Sequence, residues 1–338
     1  MIPVFFQVFK TDIQKLPASL AGSVDLIPEL LNVSRANATV KTYHLGFIRW
    51  KKWASINGIS SVDILPAKPF FVAIYLSSLV QSCRTVSPVT QAFYSLQWAH
   101  NLIGQPSPTD TYLVKNVLEG AKRKLATPTV KKEPITPELL SLMYNSNYKE
   151  NDLFSQRTIC ACLLAYAGFL RVSELLQIRR NDIIFEATYI CIFIPNSKTD
   201  IYRDGNSVVI VRTDSNLCPV KNLELYLVWG NILADSNEFI FRNLTKCKDM
   251  YILRRDDKAL SYSRMRELFI QAFQYFVPDI KKLGLHSLRS GGATTCANLG
   301  ISDRLFKKHG RWRSETAKDG YVKDSLPDRL SVSKNLGL

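Results

Sequence analysis

Between residues 34 and 124 apolar positions recur every three or four residues, and the polar stretches between them are short, which predicts helices joined by turns. Val40, Tyr43, Phe47, Trp50 and Ala54 share one helical face, with Asn37 or Thr39 placed to cap it. Further helical runs cover residues 69–80, 89–102 and 112–125, and no strand is expected in this half. Residues 126–134, Ala-Thr-Pro-Thr-Val-Lys-Lys-Glu-Pro, carry no apolar periodicity and read as a boundary. The expected organisation is an N-terminal extension over 1–22, a helical domain over 23–126, a basic linker over 127–135 and a second domain over 136–338.

The second domain is mixed. Helical patterns run over 136–144, 155–167 and 172–178, and again over 219–233 and 261–276. β-rich runs lie at 183–185, 189–194 and 207–211, with a polar hairpin tip at 195–205 between the last two. From 286 to 331 the pattern suggests several short helices broken at Gly291-Gly292, Gly300, Gly310 and Gly320. The fold class expected is α+β, mostly α: a helical domain followed by a mixed helical domain with a small antiparallel sheet.

Charge changes the picture. The 338 residues hold 44 Lys plus Arg against 29 Asp plus Glu, a net charge of +15, which attracts polyanions and nucleic acid first among them. Seven cysteines, an odd number without a C-x-x-C pair, read as reduced buried thiols and exclude a disulfide framework. The four histidines lack zinc-ligand spacing, so no metal site is expected. No apolar run is long enough to span a membrane, and the start Met1-Ile2-Pro3-Val4-Phe5-Phe6 lacks the basic flank of a signal peptide.

Four pieces of the second domain carry candidate chemistry. The first is Gly168-Phe169-Leu170-Arg171-Val172-Ser173-Glu174, an arginine opening a helix with an acid three residues on. Ser197-Lys198-Thr199 sits at the hairpin tip. His286-Ser287-Leu288-Arg289 puts an imidazole and a guanidinium on one helical face. Gly310-Arg311-Trp312 precedes Tyr321, nine positions after Trp312. Taken singly, each is compatible with a surface pair, a solvated turn or a packing aromatic. Their order and spacing together are not.

Arg, then Lys on a hairpin, then H-x-x-R, then Trp nine residues before Tyr resembles the tyrosine recombinase, or phage integrase, superfamily. The resemblance covers residues 136–330, and residues 34–125 are similar in length and character to that family's core-binding DNA domain. It implies that Arg171, Lys198, His286, Arg289, Trp312 and Tyr321 fill the catalytic places, with Glu174 bracing them. Many members carry His where Trp312 stands. His309, three positions earlier, is read as a phosphate or water contact or as a surface residue. The ending His309-Gly310-Arg311-Trp312 through Tyr321 looks most like recombinases of eukaryotic DIRS-like and Ngaro-like mobile elements.

The resemblance implies strand cutting through a 3′-phosphotyrosyl link, with double-stranded DNA as partner, a homo-tetramer on paired sites, action in the nucleus and no cofactor. Lys122, Arg123, Lys124, Lys131, Lys132, Lys307, Lys308 and His309 are candidate DNA contacts. Two other readings stay open: a type IB topoisomerase with similar chemistry, and a domesticated DNA-binding protein that no longer cleaves. After Tyr321, Pro327 is placed to open a short helix carrying Leu326, Leu330 and Val332. That helix docks either on a neighbouring subunit or on its own domain.

Overall fold

A computed structural model of the chain describes residues 6, 8–128, 130–195, 197, 200, 205–248 and 250–336. Lys198, expected at the hairpin tip, lies outside the described residues. The chain divides into two compact units, 1–129 and 130–338.

The first unit is helical: α1 (Lys10–Gln14), α2 (Ala21–Val33), α3 (Asn37–Ile56), α4 (Pro69–Ser82), α5 (Ser87–Leu102) and α6 (Tyr112–Lys124). The face predicted for α3 is its core face. Trp50 and Ala54 are wholly buried against Val72, Leu76, Val89 and Leu96, and the Trp50 indole N–H donates to the Ile64 carbonyl at 3.0 Å. Neither Asn37 nor Thr39 caps this helix. Its N-cap position is Ala36, which supplies no side-chain bond, and Asn37 already stands inside the first turn. The helix α2 was not expected. It carries Pro28 in its interior and buries only Val24 and Pro28, with Leu31 packed at the edge of the core and Leu26, Leu30 and Val33 exposed, so its apolar periodicity is weakly tied to burial.

One buried group makes this unit sensitive to pH. The His100 ring is wholly buried; its Nδ1 bonds the Leu96 carbonyl at 2.7 Å, and Nε2 accepts the Ala67 N–H at 2.8 Å. Only the neutral ring can accept that bond, and burial pushes the His100 pKa down. A histidine depressed in the folded state contributes stability above its unfolded pKa, about 6.5, and loses it as pH falls. The urea midpoint is therefore expected to be lower at pH 5.5 than at pH 7.5, with a smaller difference in His100→Gln. An equal difference in both proteins would show that His100 takes no part.

The second unit is built around α8 (Leu153–Ala167), a central helix buried along most of its length, with Ile159, Cys160, Ala161, Cys162 and Leu164 fully enclosed and Gln156 and Arg157 buried beside them. Around it stand α7 (Pro137–Asn147), α9 (Val172–Leu175), α10 (Pro219–Trp229), α11 (Tyr262–Phe273) and α12 (His286–Asn298). The chain then runs through α13 (Asp303–Gly310), α14 (Glu315–Asp319) and α15 (Leu326–Lys334). A three-stranded antiparallel sheet, β1 (Ile183–Phe185), β2 (Tyr189–Ile194) and β3 (Asn206–Val211), has the order β1-β2-β3, with Ile184, Cys191 and Val209 in one row. The result is the mostly helical α+β fold with a small antiparallel sheet that the patterning predicted.

The structure differs from the expected pattern at three places. A second hairpin, β4 (Leu244–Cys247) with β5 (Met250–Leu253), buries only Leu253, so it shows no alternating signal. The helix expected over 172–178 is one turn, 172–175. Gly291-Gly292 does not break a helix; both residues lie inside the continuous α12. A Cβ on Gly291 would lie 2.1 Å from the Ile135 carbonyl oxygen, and one on Gly292 would lie 2.2 Å from that of Tyr166. The glycines let α12 approach α8 and the backbone at Ile135 closely, and this brings Arg289 inward. All seven cysteines are free, with Cys160, Cys162 and Cys218 buried and Cys247 exposed. Among the described residues no helix is long and apolar enough to cross a membrane.

Candidate active site

The site forms where α8 ends. Gly168 caps that helix, Phe169 takes a left-handed backbone with φ 45°, and Arg171 becomes the N-cap of α9. Glu174, three residues on, accepts the Arg171 backbone N–H at 2.9 Å and its Nη1 at 2.6 Å. The pair foreseen as a possible surface contact is enclosed instead, with side-chain exposures of 12% for Arg171 and 1% for Glu174. Burial alone would raise the Glu174 pKa, but Arg311 and Arg171 outweigh it and hold the carboxyl below its ordinary value.

On α12 the first residue, His286, is exposed, while Arg289 is completely buried. Arg289 donates Nη1 to the Phe169 carbonyl and Nη2 to that of Gly310 at 2.7 Å. Its guanidinium lies 4.9 Å from the ring centroids of both Trp312 and Tyr321. Burial, with repulsion from Arg171 and Arg311, pulls the Arg289 pKa down to about 10, which leaves it charged at neutral pH.

Trp312 packs against Phe169 and Phe306, and its ring centroid is 5.5 Å from that of Tyr321. Its indole Nε1 is buried without a hydrogen-bond partner among the described residues, an unpaid desolvation that a ligand acceptor would offset. Tyr321 is half-buried and borders a cavity of about 580 Å³ shared with His286, Ser290, Lys131 and Lys132. Thr294 on α12 holds the tyrosine's backbone, donating to the Tyr321 carbonyl at 3.4 Å and accepting the Lys323 N–H at 3.1 Å.

The structure thus gathers Arg171, Glu174, Arg289, Trp312 and Tyr321 at one place, with His286 on the same cavity as Tyr321. It adds Arg311, 3% exposed in its side chain, whose Nη2 meets Glu174 Oε2 at 2.9 Å. Three guanidiniums face one carboxylate, a net +2 largely withdrawn from water, and such a site favours an anion. Lys318 was also missed. It bonds Asp303 and Glu315, tying α14 to α13 just ahead of Tyr321. Arg311 stood inside the motif read for Trp312, and nothing local signals that its side chain turns inward.

The remaining candidates are dispersed. Ser197 and Asp200, which flank Lys198, border a cavity of about 450 Å³ that also touches Arg311 and Trp312. Lys307 pairs with Glu315 at 2.5 Å and Lys308 is exposed. His309 is not a surface residue: its Nε2 lies 2.8 Å from the Ala167 carbonyl, and its ring sits edge-on to Phe169 at 4.7 Å. Burial lowers its pKa and so favours the neutral ring. Lys131 and Lys132 are exposed, and Lys132 donates to the Lys281 carbonyl. In the other unit Lys122, Arg123 and Lys124 are exposed in the last turn of α6. Among the described residues no group of three or more His, Cys, Asp or Glu could hold a metal ion.

Residues 136–325 match the sequence profile of the Phage integrase family. The chain is 25% identical over 295 residues to an integrase/recombinase xerD homolog of Selenomonas ruminantium, covering 86% of this chain and 83% of that one. Its fold is similar to the XerH site-specific recombinase in a post-cleavage complex with palindromic difH substrate: TM-score 0.63, 15% identity, covering 99% and 89% of the two chains. It is also similar to the Tn1549 transposon integrase (Y379F) in complex with transposon right end DNA: TM-score 0.55, 15% identity, covering 92% and 99%. With a profile matched over more than half its length, the chain belongs to the phage integrase family and is a tyrosine-type site-specific recombinase that cuts and rejoins DNA.

Proposed function

We propose that Tyr321 is the nucleophile of this recombinase and that Arg171 and Arg289 clamp the scissile phosphate. The observation that carries this reading is a desolvated guanidinium cluster of net +2 directly against the Tyr321 ring. Permanently charged forks suit the nonbridging oxygens of a phosphodiester and the charge that builds as it becomes pentacoordinate. The phenol must lose its proton to attack. His286, on the same cavity, accepts that proton. The Tyr321 oxygen–phosphorus bond forms as the bond to the 5′ oxygen breaks, and Lys198 protonates the leaving oxygen. Trp312 donates its unpartnered indole N–H to phosphate. Attack by a 5′ hydroxyl from another strand reverses the step. Bond energy is retained in the phosphotyrosyl link, so the exchange needs no ATP.

A nicked suicide duplex tests the activity. Its short 5′-hydroxyl fragment diffuses away after cleavage and leaves a covalent protein–DNA adduct on a denaturing gel. Absence of adducts from every member of a bound duplex pool would sink this reading and favour a non-cleaving DNA-binding protein. Relaxation of supercoils without strand exchange would favour a topoisomerase.

The finer assignments are proposals of the same kind. Residues 23–126 serve as the core-binding DNA domain and 127–135 as a linker crossing the backbone, with Lys122, Arg123, Lys124, Lys131, Lys132, Lys307 and Lys308 on phosphates. The segment from His309 to Tyr321 supports an origin in a eukaryotic DIRS-like or Ngaro-like element, and so action in a nucleus.

We also propose a tetramer on paired sites, in which the tail docks on a neighbouring subunit. Leu326, Leu330 and Val332 of α15 are 66%, 55% and 68% exposed, and a nine-residue helix needs a surface to bury them. An apolar cavity of about 460 Å³ bordered by Ala167, Val209, Ile301, Leu305 and Phe306 offers one on a neighbouring subunit. Deletion after Lys323 is expected to preserve binding to a single half-site and to abolish cooperative assembly on a full site, read by gel shift. Undiminished cooperativity in the truncated protein would remove the tail from assembly.

A further inference from the structure

Arg311 is the third guanidinium of the buried cluster, and its backbone is left-handed, with φ 57°. A residue with a Cβ is disfavoured there, whereas glycine adopts that conformation readily. Phe169, whose carbonyl accepts Arg311 Nη2 at 2.9 Å, is left-handed as well. Two residues in this region facing each other across one carbonyl show packing overriding local preference, as happens at functional sites. The turn could be made more easily by glycine, so the reason for an arginine lies in its side chain.

Both terminal nitrogens of that side chain are occupied, whereas its Nε has no hydrogen-bond partner among the described residues. Arg311 Nη1 donates to the carbonyls of Gly168 at 3.1 Å and His309 at 3.0 Å, and Nη2 meets Glu174 Oε2 at 2.9 Å. Glu174 Oε1 takes Arg171 Nη1, and Oε2 takes the Arg171 backbone N–H together with Arg311. Arg289 Nη1 stands 3.9 Å from the same Oε2, at the limit of an ion pair and beyond hydrogen-bond reach. Arg311 thus occupies the side of Glu174 Oε2 that lies nearest to Arg289, and a buried carboxylate draws a neighbouring cation strongly.

We infer that Arg311 is a positioning residue for DNA cleavage: by saturating Glu174 it keeps Arg289 available to the scissile phosphate. The inference rests on the assignment of Arg171 and Arg289 to that phosphate. Mutual repulsion acts in the same direction, since Arg311 disfavours withdrawal of Arg289 toward the acid that Arg171 already bonds. Without Arg311 the acid captures Arg289, and the net charge offered to the DNA falls by one.

The test is single-turnover cleavage of nicked suicide duplexes carrying either the ordinary phosphodiester or a neutral methylphosphonate at the scissile position. The methylphosphonate lacks the negative charge that the second guanidinium neutralises. Arg289→Ala, the control for the clamp, is expected to lose about 10²–10³-fold on the phosphodiester and to recover most of it on the methylphosphonate. Arg311→Met is expected to lose roughly 10–100-fold on the phosphodiester, the scale of removing a supporting partner, and most of that loss disappears on the methylphosphonate.

Adding Glu174→Gln removes the acid that captures Arg289, so Arg311→Met/Glu174→Gln is expected to cleave faster than Arg311→Met alone. A merely structural role predicts the reverse. Equal deficits on both substrates, or a double variant slower than the single, overturn the inference. If Arg289→Ala itself is not rescued, the clamp assignment fails instead. Thermal unfolding is followed for each variant. Should Arg311→Met not fold, Arg311→Lys, which keeps a cation near Glu174 but loses the fork, is expected to show the same substrate pattern at smaller amplitude. Equal Arg311→Lys deficits on the two substrates overturn the inference too.

Discussion

Tyr321→Phe is expected to bind DNA as tightly as the parent protein and to form no covalent adduct with a nicked suicide duplex. Only the phenolic oxygen is removed. The ring keeps its place 5.5 Å from Trp312 and 4.9 Å from the Arg289 guanidinium, and the backbone keeps its ties to Thr294. The surroundings of the ring are therefore preserved while the proposed nucleophile is gone. Because a missing nucleophile blocks the first bond-forming step, the loss is total within detection and not a graded slowing. Adducts persisting in this variant would mean that another side chain attacks.

Replacing Arg171 or Arg289 with alanine comes next in size. Each should slow cleavage about 10²–10³-fold, equivalent to roughly 2.7–4 kcal/mol of transition-state stabilisation, with half-site affinity little changed. The two variants differ in what else they disturb. Arg171 keeps some exposure, and its removal leaves Glu174 paired with Arg311. Arg289 is wholly enclosed, and its removal takes the Arg289 donor from the Gly310 carbonyl, while that of Phe169 keeps Arg311. Arg171→Ala is therefore the cleaner measurement, and Arg289→Ala needs its thermal stability followed alongside. Cleavage at the parent rate in Arg171→Ala, with binding intact, would rule out the clamp. Simple addition of the two losses in the double variant would show that the arginines act independently instead of as one unit.

Much of this was legible in the chain itself. Local periodicity predicted α3 and α8 and placed β1, β2 and β3 to within a residue, because the register of apolar positions is set by neighbours along the chain. It failed where an element buries little, as in α2 and the β4–β5 hairpin, or where a residue serves a distant neighbour. Gly291-Gly292 is such a case. Read locally the pair interrupts a helix; in three dimensions it makes room for the carbonyls of Ile135 and Tyr166. His309 is another, since its inward turn depends on the Ala167 carbonyl, 142 residues earlier.

By itself the sequence determined which residue types stand ready for the chemistry: Arg171, Lys198, His286, Arg289, Trp312 and Tyr321, in an order and spacing that resemble one family. Only the tertiary structure decided how some of them are joined. Glu174 and Arg311 lie 137 residues apart, yet share a hydrogen bond at the centre of the cluster, and Arg289 reaches a carbonyl 120 residues away. The physical reason is a difference of scale. Helices and strands follow from backbone bonds and apolar spacing over a few residues. A buried net charge arises where distant elements pack closely enough to exclude water, and it is tolerated only where they also bring acceptors to the guanidiniums, and no local pattern records that.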